Sequence, residues 1–100
     1  MKISNRIIGL HSKPFIVAEM SGNHNQSFQR AINIIELAAK SGADAIKLQT
    51  YTADTITLKE HKNEFVINDE NSIWYGRNLY ELYQEAHTPW EWHEPLMKKA

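Results

Sequence analysis

The chain has 100 residues, of which 42% are apolar, with a formal net charge of −1 and no cysteine. That length and apolar share allow one small globular core, the near-neutral balance argues against nucleic acid as the main partner, and the lack of cysteine excludes disulfides and thiolate metal sites. No apolar run approaches the ~20 residues of a membrane span, and the opening MKISNRIIGLHSKP has neither the apolar stretch nor the cleavage site of a secretory signal, so the expected location is cytoplasmic.

In chain order, Ile3 and the pair Ile7-Ile8 flank a polar Ser4-Asn5-Arg6, which predicts a small hairpin of two very short strands. His11, in the connector before Pro14, reads as a solvated loop residue. Phe15-Ile16-Val17-Ala18 is an apolar run broken by Glu19 and suits a strand of a parallel sheet. The loop from Ser21 to Gln26 holds Gly22, Asn23, His24 and Asn25, so it turns sharply and is rich in hydrogen-bonding groups. A helix is expected from about Ser27 to Ser41. Ser27 is its N-cap candidate, and Phe28, Ala31, Ile32, Ile35, Ala38 and Ala39 form its apolar stripe. Glu36 and Lys40 make an i,i+4 pair of the favourable order, and Gly42 lies where a left-handed cap residue belongs. Ala45-Ile46-Lys47-Leu48-Gln49 then alternates apolar and polar, completing one βαβ unit.

Alternation assigns the faces of those strands. Phe15, Val17 and Glu19 share one face, and Ile16, Ala18 and Met20 the other; Lys47 and Gln49 oppose Ile46 and Leu48 in the same way. If the wholly apolar faces meet the helices, Glu19, Lys47 and Gln49 converge at the carboxyl ends of adjacent strands, where α/β enzymes keep their chemistry. The plainer reading is a buried structural ion pair between Glu19 and Lys47, which costs desolvation and needs good geometry. Asn23 and His24 stand beside a helix N-terminus, which favours anions; the alternative is that the asparagines merely hold the turn.

From Tyr51 to Arg77 the pattern is polar and irregular, longer than an ordinary βα connection, with a short strand or turn expected around Glu64 to Ile67, where Phe65-Val66-Ile67 is apolar. Trp74 and Tyr75 are expected to anchor this loop on the body. Leu79, Leu82, Tyr83 and Ala86 mark a helix over 78–86. Thr88, Pro89 and Glu91 predict the capping box of a further helix, with Pro95 expected to kink or strain it and Trp90 and Trp92 expected to pack. His87 and His93 have no carboxylate arrangement that would make them a metal pair.

The motifs PFIVAEMSGNHNQS and ADAIKLQTYTADT closely resemble the phosphoenolpyruvate-dependent sialic acid synthase family. The loop AEMSGNHNQS and the later GRNLYELYQEAHTPWEWH are similar to its pseudaminic acid synthase branch. The family's usual AE-x-G-x-NH-x-G ends in a glycine from which Gln26 and Ser27 depart. The resemblance covers Pro14 to about Leu96. It implies the N-terminal part of a (β/α)8 TIM barrel, with residues 1–100 supplying about two strand–helix units behind a hairpin that closes the barrel bottom. A whole barrel takes roughly 250 residues, so an incomplete domain is expected.

The implied activity is condensation of phosphoenolpyruvate with an acetamido sugar to a nine-carbon α-keto acid, with release of phosphate. Lys47 would bind phosphoenolpyruvate, Gln49 the sugar or a neighbouring anion, and Asn23 and His24 would line the site. Glu19 would be the catalytic carboxylate, handling protons near the attacking water. A divalent metal, Mn2+ or Mg2+, is implied on ligands outside this chain, and a homodimer for the full-length parent. A non-catalytic α/β binding module is the competing class, decided by whether the reading frame runs on into more strand–helix units.

Overall fold

The computed structural model describes residues 1–100. Eight regular elements follow in order: β1 (Lys2–Ile3), β2 (Arg6–Ile7), β3 (Val17–Glu19), α1 (Phe28–Lys40), β4 (Ala45–Lys47), α2 (Ala53–Ile56), α3 (Leu79–Ala86) and α4 (His93–Lys99), with 3₁₀ turns at Asn63–Phe65 and Trp90–Trp92. The chain is mixed α/β. β1 and β2 pair antiparallel, Lys2 with Ile7 and Ile3 with Arg6, which forms the expected hairpin. Arg6, placed by the sequence in the turn, lies instead on β2. There its guanidinium pairs with Asp44 and donates to the Pro14 carbonyl at 3.3 Å. Asp44 also accepts from the Ile16 N–H at 2.8 Å, so one carboxylate ties the hairpin to the amino ends of both parallel strands.

β3 and β4 pair parallel, with Val17 opposite Ala45, Ala18 opposite Ile46 and Glu19 opposite Lys47. Both are three residues long, shorter than the apolar and alternating runs suggest. The expected division of faces holds at Met20, Ile46 and Leu48, whereas Ile16, assigned to the same face, is exposed. Met20 is fully buried in a cluster with Ala31 and Ile35 of α1 and Leu96 of α4, and Ile46, Leu48 and Trp92 pack against it. Val17 and Glu19, on the opposite face, are exposed.

α1 matches its sequence signals closely. The Ser27 hydroxyl accepts from the Arg30 N–H at 3.2 Å, Ser41 is the C-cap, and Gly42 takes φ 89°, the left-handed conformation that ends helices without a side-chain clash. The surface pair differs. Glu36 meets Lys99 of α4 at 2.5 Å rather than Lys40, because α4 packs across α1 and offers a tertiary partner that the helix's own register does not.

The segment after β4 is more ordered than its composition suggests. α2 forms in it, and Val66 bridges antiparallel to Asn78. Asn78 is buried and holds two ends together: its Oδ1 accepts from Tyr80 N–H at 2.9 Å to cap α3, while its Nδ2 donates to the Glu60 carbonyl at 2.6 Å. Trp74 is partly buried, but Tyr75 is exposed and anchors nothing.

The capping box expected at Thr88 does not form. Thr88 is fully buried, its N–H donates to the Gln49 carbonyl at 2.7 Å, and its carbonyl accepts from the Thr50 hydroxyl at 3.1 Å, so its backbone is committed to the end of β4. Pro89 starts a 3₁₀ turn instead, and α4 begins at His93. Pro95 therefore falls in the first turn of α4. Its missing N–H would have been an orphan there, and the expected kink has no cause. Trp92 packs as expected, whereas Trp90 is 65% exposed and stacks on His93 with ring centroids 6.1 Å apart.

Only 10 of 100 residues are buried, and the accessible surface is 7349 Å². A compact protein of 11.6 kDa exposes about 5,800 Å² by the surface–mass relation. The radius of gyration, 16.4 Å, likewise exceeds the ~13 Å of a compact chain this long. With Ile16, Val17 and Leu37 open to solvent and parallel strand edges unpaired, the 100-residue chain on its own is expected to lack a cooperative monomeric unfolding transition. Calorimetry on the isolated chain checks this, and a single sharp transition at monomer mass would contradict it.

Candidate functional site

The carboxyl ends of β3 and β4 carry the site. Parallel registry sets Glu19 directly opposite Lys47, and Lys47 Nζ approaches Glu19 Oε1 at 2.5 Å. Within residues 1–100 their side chains are 51% and 50% exposed. A solvated pair of this kind contributes ~0–1 kcal/mol to stability. Both charges lie on the face opposite the Met20 cluster, so the core of residues 1–100 does not desolvate them.

Gln49 lies two residues beyond Lys47, in the partly buried segment after β4, where its carbonyl receives the Thr88 N–H. Asn23 is exposed, and its amide donates to the Met20 carbonyl at 3.0 Å. This braces the loop one residue past Glu19. Asn23 also lines an open cleft of ≈ 240 Å³ with Gly22, Asn25, Arg30, Ile73 and Trp74. Arg30 makes none of the ion pairs in the structure and was not singled out in the sequence, where a helix-surface arginine carries no distinguishing signal.

His24 is placed differently. It is fully buried, with its ring edge-on to Trp92 at 5.3 Å between centroids. Its Nδ1 accepts from the Gln26 N–H at 3.0 Å, which fixes the ring as a neutral acceptor on that side. Nε2 has no hydrogen-bond partner. Thus the structure brings Glu19 and Lys47 together at the strand ends, ties Asn23 to the Met20 carbonyl beyond them, and sets His24 on the helix side as a support of the loop. Burial pushes the His24 pKa down, and the neighbouring His87 lowers it further; the Ala86 carbonyl opposes both, although it falls outside hydrogen-bonding geometry. No group of three or more His, Asp or Glu side chains is arranged to hold a metal ion, so residues 1–100 supply no complete metal site of their own.

These features define a class first: an α/β strand–helix unit with charged side chains at the carboxyl ends of parallel strands, the position at which such folds hold ligands. The chain belongs to the NeuB family, whose sequence model matches residues 34–100. It is 46% identical to a pseudaminic acid synthase of Campylobacter jejuni over 100 residues, covering all of this chain and 28% of that protein. It is 47% identical to a pseudaminic acid synthase of Helicobacter pylori over 87 residues, 87% of this chain and 25% of the relative. An N,N'-diacetyllegionaminic acid synthase of Legionella pneumophila is 42% identical over 77 residues, 73% of this chain and 22% of the relative. The chain therefore spans about a quarter of the length of the curated relatives it matches. No helix is long and apolar enough to cross a membrane.

A depressed histidine pKa has a definite sign in stability. The unfolded chain takes up a proton near pH 6.5 while folded His24 resists it, so its contribution is whole above that pH and is lost as pH falls toward the lowered folded value. Glu36, whose pKa is lowered by its hydrogen bond and charge contact with Lys99, loses its contribution only below the ordinary carboxylate range. In the full-length protein carrying this chain, His24→Asn, which keeps an acceptor near the Nδ1 position, is expected to flatten the fall in melting temperature between pH 7.5 and 5.5. Parallel melting curves for wild type and variant would contradict this.

Proposed function

We propose that residues 1–100 are the N-terminal part of the (β/α)8 barrel of a pseudaminic acid synthase, with the hairpin β1–β2 lying beneath the barrel. The full-length protein condenses phosphoenolpyruvate with 2,4-diacetamido-2,4,6-trideoxy-altrose to a nine-carbon α-keto acid and phosphate. The carrying observation is the Glu19–Lys47 pair, solvated and in exact register at the strand ends, in a chain 46% identical over its whole length to a protein named for that product.

In this reading Lys47 meets the negative groups of phosphoenolpyruvate as a compact point charge with three donors. Before substrate arrives, Glu19 holds the ammonium over the strand ends, where an anion can share it. Carbon 3 of phosphoenolpyruvate bonds to the sugar's aldehyde carbon, whose oxygen takes up a proton. Water then adds at the carbon bearing the phosphate, and Glu19 accepts the proton of that water. The tetrahedral adduct expels phosphate by breaking its C–O bond, leaving the keto group. Gln49 hydrogen-bonds the sugar or the neighbouring anion, Asn23 lines the mouth, and His24 shapes the loop from below. A divalent metal, Mn2+ or Mg2+, would polarise the sugar aldehyde from ligands outside residues 1–100. The enzyme would act in the cytoplasm as a homodimer.

The test is turnover by the full-length protein with phosphoenolpyruvate and a panel of amino sugars. The diacetamido-trideoxy-altrose is expected to be used fastest; faster use of N-acetylmannosamine or of a legionaminic acid precursor at equal concentration would move the assignment within the family. Lys47→Met is expected to raise KM for phosphoenolpyruvate roughly ten-fold or more, the weight of a lost charge-assisted bond, while the melting temperature moves by only a few degrees. Glu19→Gln is expected to lower kcat more than it raises KM. Wild-type turnover with a large loss of melting temperature in either variant would remove the catalytic assignment.

A further inference from the structure

The loop between β3 and α1 is held in a conformation its residues do not favour. Asn25 and Gln26 follow one another at φ 47° and 56°, in the left-handed region that glycine adopts freely, asparagine tolerates and glutamine disfavours. Local bonds account for part of the shape. The Asn25 N–H donates to the Gly22 carbonyl at 3.1 Å, the Ser27 N–H to the His24 carbonyl at 2.9 Å, and the Gln26 N–H to His24 Nδ1 at 3.0 Å.

None of those bonds needs a side chain at Gln26, yet a long one is present and occupied. Its carboxamide Nε2 donates to the Glu85 carbonyl and, at 3.0 Å, to the His87 carbonyl. These are backbone acceptors at the carboxyl end of α3, where the helix's own amides have run out. The same end of α3 meets the loop a second time at Gly22, where a Cβ would lie 2.9 Å from Ala86 Cβ. The loop therefore docks on α3 through a close backbone approach and one double-donor side chain.

α3 leads on through His87 to Thr88, whose N–H and carbonyl bind Gln49 and Thr50 at the end of β4. A closed circuit results. It runs from Glu19 along the loop to Gln26, across to residues 85–87, through Thr88 to Gln49, and back along β4 to Lys47, which pairs with Glu19. We propose that Gln26 is a positioning residue that closes this circuit and so fixes Glu19 and Asn23 relative to Lys47 and Gln49. It touches no substrate itself, and a carboxylate in its place could not donate to the two carbonyls. The inference rests on the synthase reading for its effect on catalysis, but the tie itself does not.

The decisive variant is Gln26→Gly in the full-length protein, because glycine suits the backbone and removes only the tie. The melting temperature is expected to stay equal or rise. Hydrogen exchange at the amides of Asn25, Gln26, Ser27 and Thr88 should quicken about five-fold or more, and phosphoenolpyruvate affinity, read by calorimetry, should fall at least three-fold, with KM rising in step. Gln26→Asn, too short to reach both carbonyls, should behave like the glycine variant. Unchanged exchange at those four amides would overturn the tie, and faster exchange with wild-type affinity and KM would overturn the positioning role. If the wild type neither binds nor turns over phosphoenolpyruvate, the synthase reading fails and the positioning role with it, and that result is visible before any variant is compared.

Discussion

Parallel pairing of two three-residue strands decides where everything else lies. With Val17 set opposite Ala45, alternation leaves Glu19 no neighbour across the strands but Lys47, and sends Met20, Ile46 and Leu48 to the helix side. A slip of β3 by one residue would bury the carboxylate among α1 and α4 and turn Met20 outward. Burying an unpaired charge costs several kcal/mol and exposing Met20 forfeits ~1.5–3 kcal/mol, so the hydrophobic pattern selects the register that delivers the charged pair to the rim. Fold and site share one cause here.

The same economy runs through the backbone that follows each strand. Asp44 satisfies the amino ends of β3 and β4 together, and Thr88 satisfies the carboxyl end of β4 from the far side of a 37-residue excursion. Ser21, at φ 49°, and Gln26, at φ 56°, both take the left-handed backbone that glycine adopts freely. The amide contacts of Gln26 explain what a side chain gains at the second place. His24 completes the arrangement by filling the loop from below as a neutral acceptor.

Local rules carried the reading furthest where neighbours in sequence are also neighbours in space. The caps of α1 and the faces of β3 and β4 followed from Ser27, Gly42 and strict alternation. The reading failed where a distant partner competed. Thr88 has the spacing of a capping box, but its backbone bonds to Gln49 and Thr50 took precedence. Glu36 had Lys40 within reach along the helix and found Lys99 instead. The burial of His24 was illegible for the same reason: its neighbour Trp92 lies 68 residues away in sequence, and nothing in GNHN indicates which side of the loop the ring takes. Half-exposure of the Glu19–Lys47 pair was equally beyond a pattern argument, since alternation gives a face and not what covers it.

The central claim is that Glu19 and Lys47 are coupled for ligand binding and scarcely at all for stability. A double-mutant cycle with Glu19→Gln and Lys47→Met in the full-length protein measures both couplings, one from denaturant unfolding and one from phosphoenolpyruvate dissociation constants. The account predicts a stability coupling within ~1 kcal/mol, together with clear non-additivity in phosphoenolpyruvate affinity. A stability coupling of ~3 kcal/mol or more, with additive effects on affinity, would show a structural ion pair and contradict it.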